Sequence, residues 1–169
     1  MYIFLEPDTI IYSAHGICEI DDICDKTFGK ETKKYYELHP IKDPRLSISI
    51  PVDSDKVVMM EVINKDEAQD ILESFNSEGT EWIESSTDRA QVYSDTLKKG
   101  NRKEISKVLN TLIVKKCEIE SSGKKFHIQD KKLLTFIENI LFTELSFSLD
   151  TTFEDINKRV YKLLEVSNG

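Results

Sequence analysis

The chain has 169 residues, 39% of them hydrophobic and 32% charged, with a formal net charge of −8. That is enough apolar material for one medium domain or two small ones and too much for a disordered chain. The apolar start Met1-Tyr-Ile-Phe-Leu5 is stopped at Glu6 and Pro7, with no basic lead and no long apolar core, so neither a signal peptide nor a membrane span is expected and the reading is cytoplasmic.

From Thr9 to Met60 the chain runs in short β-branched and aromatic stretches: Thr9–Tyr12, Ile17–Cys24, Lys34–Ile41, Arg45–Ile50 and Lys56–Met60. These predict a small antiparallel sheet or barrel. The breaks between them hold His15-Gly16, Gly29 and Asp43-Pro44, residues that permit or preset turns. Arg45–Ile50 alternates, which puts Leu46, Ile48 and Ile50 on one face and Arg45, Ser47 and Ser49 on the other, and Pro51 ends or edges that strand. Cys18 and Cys24 share strand parity, which would place them on one side of a strand. With Cys117 they make an odd number without a CxxC pair, and the three read as small buried hydrophobes in a reducing compartment.

Asn64 to Phe75 predicts a helix, with Asn64 as N-cap, acids in the first turn and Ala68, Ile71 and Leu72 on one face. Asn76-Ser-Glu-Gly79 reads as a linker. Beyond it the periodicity is helical throughout. Ile105, Val108, Leu109, Leu112 and Ile113 form one stripe, and Leu134, Ile137, Leu141 and Leu145 form another on a helix from about Asp130 to Ser148. A last helix starts at Thr152-Phe-Glu-Asp155, a capping-box-like opening, with Ile156, Val160, Leu163 and Leu164 on one face. Gly100 and Ser121-Ser-Gly123 mark breaks between helices. The whole is an α+β chain with domains at 1–62, a helix and linker at 63–79, and an all-α C-terminal helical domain at 80–169.

The sequence holds no phosphate-cradling glycine loop and no nucleophile elbow. His15, His39 and His127 are too scattered for a metal helix, His15 serves a turn, and Asp21, Asp22 and Asp25 read as solvated edge charges. No enzyme, metal site or cofactor is expected. Charge is more informative. Residues 1–81 hold 8 Lys and Arg against 18 Asp and Glu, whereas 82–169 hold 15 against 13, so the halves carry −10 and +2. The second half contains the cluster Lys98, Lys99, Arg102 and Lys103 and the pair Lys131 and Lys132. Cations at helix starts oppose the helix dipole, so Arg102, Lys103, Lys131 and Lys132 need another reason, of which phosphate contact is one and ordinary surface charge the other. Trp82, the single tryptophan, stands where the acidic half gives way to the basic one.

Asp8-Thr-Ile-Ile-Tyr-Ser-Ala-His-Gly16, followed by Tyr35-Tyr36 and Ser49-Ile-Pro-Val52, resembles the start of the CarD/CdnL family of bacterial RNA polymerase-binding transcription regulators. Trp82, Leu97-Lys-Lys-Gly100, the Ile105–Thr111 stripe and Asp130-Lys-Lys-Leu-Leu134 are similar to that family's C-terminal domain, so the likeness spans about residues 4–149. The resemblance implies a Tudor-like (SH3-like) N-terminal barrel that binds the polymerase β subunit, and a helical domain on promoter DNA. It implies that Trp82 is a minor-groove wedge at the upstream edge of the bubble, stabilising the open complex with weak sequence specificity. Lys131 falls at a basic DNA-contact position with Lys132 beside it. Arg89, Lys98, Lys99, Arg102 and Lys103 join them as DNA-contact candidates. Lys26 and Ser49 fall on the polymerase side. Pro7 stands where the family has Gly, Ser13 where it has Pro, Ser49 where some members have Arg, and Ile83-Glu84 where others have basic residues. The expected form is a monomer. Two other readings are an adaptor that binds polymerase but not DNA, and a piece of the transcription-repair coupling factor. The missing Walker motif and the helical second half argue against the latter.

Overall fold

The computed structural model describes Phe4 and residues 8–166. Pro7, one of the departures noted above, lies outside the described residues. The chain divides into two compact units at Val62/Ile63.

The first unit is a five-stranded antiparallel sheet of β1 (Thr9–Tyr12), β2 (Gly16–Phe28), β3 (Glu31–Pro40), β4 (Ile48–Pro51) and β5 (Met59–Glu61), in the order β4-β3-β2-β1-β5. Ile10, Tyr12, Cys18, Ile20, Tyr36, Leu38 and Ile50 gather in one core, closed by Phe4, whose N–H donates to the Tyr36 hydroxyl at 3.1 Å. Ile48 of β4 and Met59 of β5 pack on that same core from the two ends of the strand order, which requires the sheet to curl. Gly16 and Gly29 take the positive φ that the two hairpin turns need. Ser13, standing where the family resemblance would put Pro, donates its N–H to the Val58 carbonyl at 3.0 Å and accepts from the Val58 N–H at 3.1 Å, a backbone bond proline could not donate.

Two strand expectations fail for local reasons. Asp43-Pro44 makes a turn in which the Leu46 N–H bonds the Asp43 carbonyl, so the ladder begins only at Ile48 and Leu46 is 37% exposed rather than in the core. Between Ile20 and Asp22 the β2–β3 register shifts by a bulge. An extra residue inverts the side-chain parity beyond it, so Cys18 is fully buried while Cys24 lies on the opposite face, bonded to Glu37. Burial pushes the Cys18 thiol up to about 11, as a core thiol should behave. The β2–β3 hairpin also runs further than its apolar pattern implies. Apart from the exposed Phe28, both faces are polar from Asp25 to Lys34, and the antiparallel pairing rather than a core holds them.

The second unit is helical: α1 (Lys65–Glu73) with a 3-10 turn (Ser74–Asn76), α2 (Ser86–Lys99), α3 (Arg102–Ser121), α4 (Ile128–Ser148) and α5 (Phe153–Leu163). Asn64 caps α1 in a full capping box with Glu67, and Ser85, Asn101 and Thr152 cap α2, α3 and α5. The stripes Ile105/Val108/Leu109/Leu112/Ile113 and Leu134/Ile137/Leu141/Leu145 are all buried. Residues 63–79 are built into this unit. The Ile63 N–H bonds Glu144 at 3.1 Å, its carbonyl accepts from Ser148 at 2.7 Å, and the Asn110 amide holds the Ser77 carbonyl at 2.9 Å. Asn76 to Gly79 is therefore packed chain rather than a free tether.

Candidate functional site

In the helical unit the segment from Ser77 to Glu84 has no helical or strand hydrogen bonding of its own, yet side chains of neighbouring helices take up its carbonyls one after another. Asn110 holds that of Ser77, the Thr111 hydroxyl that of Thr80 at 2.7 Å, and the Tyr93 hydroxyl that of Glu81 at 2.9 Å. Arg89 Nη1 donates to the carbonyls of Ile83 and Glu84. Gly79 runs so close to α3 that a Cβ would stand 2.2 Å from Thr111 Oγ1. Trp82 thus sits on backbone fixed from both sides, with its side chain partly exposed.

Arg89 does more than hold the backbone. Its Nε and Nη2 make a bidentate pair with Asp130 at 2.9 and 2.5 Å, both residues being at most 3% exposed, and its Cζ lies 3.9 Å from the centre of the Trp82 ring. The fork-to-carboxylate geometry is the strong form of this contact, and the guanidinium face on the indole adds a cation–π term. The sequence reading grouped Arg89 with the cations facing DNA. It is an interior group instead, satisfied by Asp130 and two carbonyls.

Arg102 behaves likewise. It pairs with Glu144, which is fully buried, at 3.0 and 2.7 Å, and donates to the Gly100 carbonyl at 2.8 Å. That supplies the reason for a cation at the start of α3. Lys98 and Lys99 lie in the last turn of α2, where the helix dipole favours them. Lys103, Lys131 and Lys132 remain: exposed, at helix starts, and in no ion pair among the described residues. Lys131 and Lys132 directly follow Asp130, so the Arg89–Asp130 pair ties the Trp82 segment to the turn that carries them. Lys98, Lys99 and Lys103 stand at the other end of α2, about 20 Å away for a helix of 14 residues. An open cleft of about 670 Å³ runs between α2 and α4, with Lys132 and the 39% exposed Phe136 on its α4 side.

In the sheet unit, Lys26 on β2 and Ser49 on β4 come together across β3. Lys26 Nζ is 2.8 Å from Ser49 Oγ and 2.5 Å from Glu37 Oε1, and Ser49 donates to that same Glu37 oxygen at 2.7 Å. The Lys26 bond, then that of Ser49, holds the Glu37 carboxyl below its ordinary range, and the Glu37 partner raises Lys26 in turn. Tyr35 completes the patch, its ring 5.7 Å from Lys26 Nζ and 5.8 Å from the ring of Phe28, which is 65% exposed.

The family model for the CarD-like/TRCF RID domain matches residues 4–63, and that for the CarD C-terminal domain matches residues 58–161. The chain belongs to the CarD family. It is an RNA polymerase-interacting transcription regulator, and the second match sets it apart from proteins that share only the first domain. No curated protein matches it. Among the described residues, no helix of this CarD protein is long and apolar enough to cross a membrane.

Sequence reasoning passed over Glu37, Tyr93, Asn110, Thr111 and Glu144 in this CarD protein. A signal existed for four of them. Asn110, Thr111 and Glu144 are polar residues inside apolar helical stripes, and Tyr93 is the middle of the buried Arg89/Tyr93/Leu97 series, positions that must find hydrogen-bond partners once buried.

Proposed function

We propose that this CarD protein docks on the polymerase β subunit through its sheet unit and stabilises the promoter open complex through Trp82, placed as a wedge at the upstream edge of the bubble. The observation that carries the reading is the fixed, partly exposed indole of Trp82. A binding group that is immobile before contact loses less freedom on binding, and base–aromatic stacking contributes roughly 1–3 kcal/mol. Lys131, Lys132 and Lys103 supply phosphate contacts, with Lys98 and Lys99 extending them along α2. Arg89 and Arg102 act from within the fold. On the polymerase side the ammonium of Lys26 reaches Ser49 while paired with Glu37, so it places a charged donor, partly offset by that carboxylate, at the place where relatives with Arg would carry theirs. Binding is to phosphates and groove shape with weak sequence specificity, and the chain works as a monomer in the cytoplasm.

A second reading, an adaptor whose helical unit binds protein rather than DNA, draws on the exposed Val92, Ile128 and Phe136 of α2 and α4. One experiment separates the two. Open-complex lifetime on a linear promoter is measured with the parent, Trp82→Ala and Lys26→Glu chains, alongside pull-down on the isolated β-subunit lobe. The wedge predicts a lifetime shortened roughly tenfold by Trp82→Ala with pull-down unchanged, and weakening of both by Lys26→Glu at the same protein concentration. A Trp82→Ala chain that binds polymerase and leaves the lifetime unaltered removes the wedge and favours the adaptor.

A further inference from the structure

We infer that Arg89 and Asp130 form a positioning device for Trp82: the buried ion pair holds a guanidinium against one face of the indole and thereby presents the ring for stacking. This rests on the wedge reading for its consequence in transcription, but its structural half stands separately. A buried Arg–Asp pair is no guarantee of stability, because the cost of desolvating both charges offsets much of their attraction and an apolar pair of similar volume often serves as well. Four of the five N–H donors of the guanidinium are nevertheless engaged here. Four hydrogen bonds run from it to Asp130 and to the carbonyls of Ile83 and Glu84, while Cζ sits 3.9 Å from the ring centre. Those two carbonyls belong to the residues immediately after Trp82. A single planar group therefore fixes both the backbone next to the tryptophan and the plane of its side chain, and Asp130 fixes the planar group. A lysine offers a point charge and no flat face, so only arginine performs both tasks.

The arrangement also couples two parts of the proposed interface. Asp130 belongs to the first turn of α4, next to Lys131 and Lys132, so the strut that orients the indole starts from the turn that grips phosphate. Trp82 and these lysines then approach DNA as one rigid element rather than as separate contacts.

Trp82 is the sole tryptophan, so the fluorescence of the full-length chain reports on this ring alone. The variant Arg89→Met/Asp130→Leu removes the stack and the fork while leaving no unpaired buried charge. We expect it to fold, with lower indole anisotropy, greater acrylamide quenching, and an open-complex lifetime shortened roughly tenfold, close to that of Trp82→Ala. Arg89→Lys, which keeps a charge opposite Asp130 but presents no plane to the ring, should free the indole as well, and it decides the question if the double variant does not fold. A folded variant whose indole is as immobile and shielded as the parent's overturns the positioning role. So does a freed indole with full open-complex lifetime, where Trp82→Ala shortens it. If the ring is freed and neither that change nor Trp82→Ala alters the lifetime, the wedge fails and the positioning of the ring stands.

Discussion

Gly79 is the residue on which the approach to Trp82 turns. A Cβ there meets Thr111 Oγ1 at 2.2 Å and the Lys107 carbonyl at 3.0 Å, and the Thr111 hydroxyl cannot retreat without releasing the Thr80 carbonyl it holds. The obstruction includes backbone of α3, which cannot rotate aside as a side-chain end can. Gly79→Ala is expected to destabilise the helical unit by about 1–3 kcal/mol, the usual cost of overpacking a close contact. Urea unfolding followed by Trp82 emission measures this, and because the strain falls three residues before the tryptophan, the native emission should change as well. An unaltered midpoint would mean that the segment slides along α3 without penalty. Ser77 or Glu78, whose side chains are exposed, should accept alanine within the range of ordinary surface changes.

At the scale of elements, α4 is the member to which the others of the helical unit are tied. Asp130 binds α2 through Arg89, Glu144 binds the start of α3 through Arg102 and the chain at Ile63, and Glu138 accepts a hydrogen bond from Tyr161 of α5 at 2.9 Å. The last tie is sensitive to pH. Burial pushes the Glu138 carboxyl above its ordinary range, and the Tyr161 hydroxyl, with Lys116, pulls it part of the way back. The folded state therefore keeps the proton to higher pH than the unfolded one. Its contribution is complete below the unfolded value near 4.5 and is lost as pH rises through the raised folded value. Glu138→Gln, which carries no charge to desolvate, should gain stability relative to the parent as pH is raised from mildly acid to neutral, and parallel urea titrations of the two chains across that interval check the sign. A constant difference would show that Glu138 titrates alike in both states. The helices were legible because each signal is local: a stripe such as Ile105 to Ile113 recurs within two turns, and Asn64 and Glu67 cap one another three residues apart. The ties were not, since Arg89 and Asp130 are separated by 41 residues and Arg102 and Glu144 by 42. An arginine committed to a buried carboxylate looks in sequence like one awaiting phosphate. The bulge at Asp21 was equally hidden, because one extra residue leaves composition unchanged while inverting every side chain after it.

For the whole molecule, electrostatics makes the helical unit's hold on DNA depend on docking. A chain of net charge −8 is repelled by DNA at long range, and the helical unit from Ile63 is itself acidic, with 16 Lys and Arg against 19 Asp and Glu, so only the stretch from Trp82 onward, at +2, offers short-range attraction. Two of its arginines are consumed internally, so the charge open to phosphate is smaller than a count of basic residues implies. Free affinity for DNA should be low, with docking on polymerase raising the effective concentration of the helical unit at the promoter. Tether and grip then respond to different variables. Removing a lysine that contacts phosphate reduces the salt slope by about one unit of log K per log of salt, whereas weakening the tether shifts the protein concentration required and leaves the slope alone. The expected outcome is that Lys131→Gln and Lys132→Gln each flatten the salt dependence of open-complex stabilisation, that Lys26→Glu raises the concentration for half effect at unchanged slope, and that Arg102→Gln acts through folding stability instead. Titrations of each full-length variant against polymerase and promoter at several potassium concentrations separate these effects. Slopes for Lys131→Gln and Lys132→Gln equal to the parent's would show that neither lysine touches phosphate, leaving Trp82 to act without their grip.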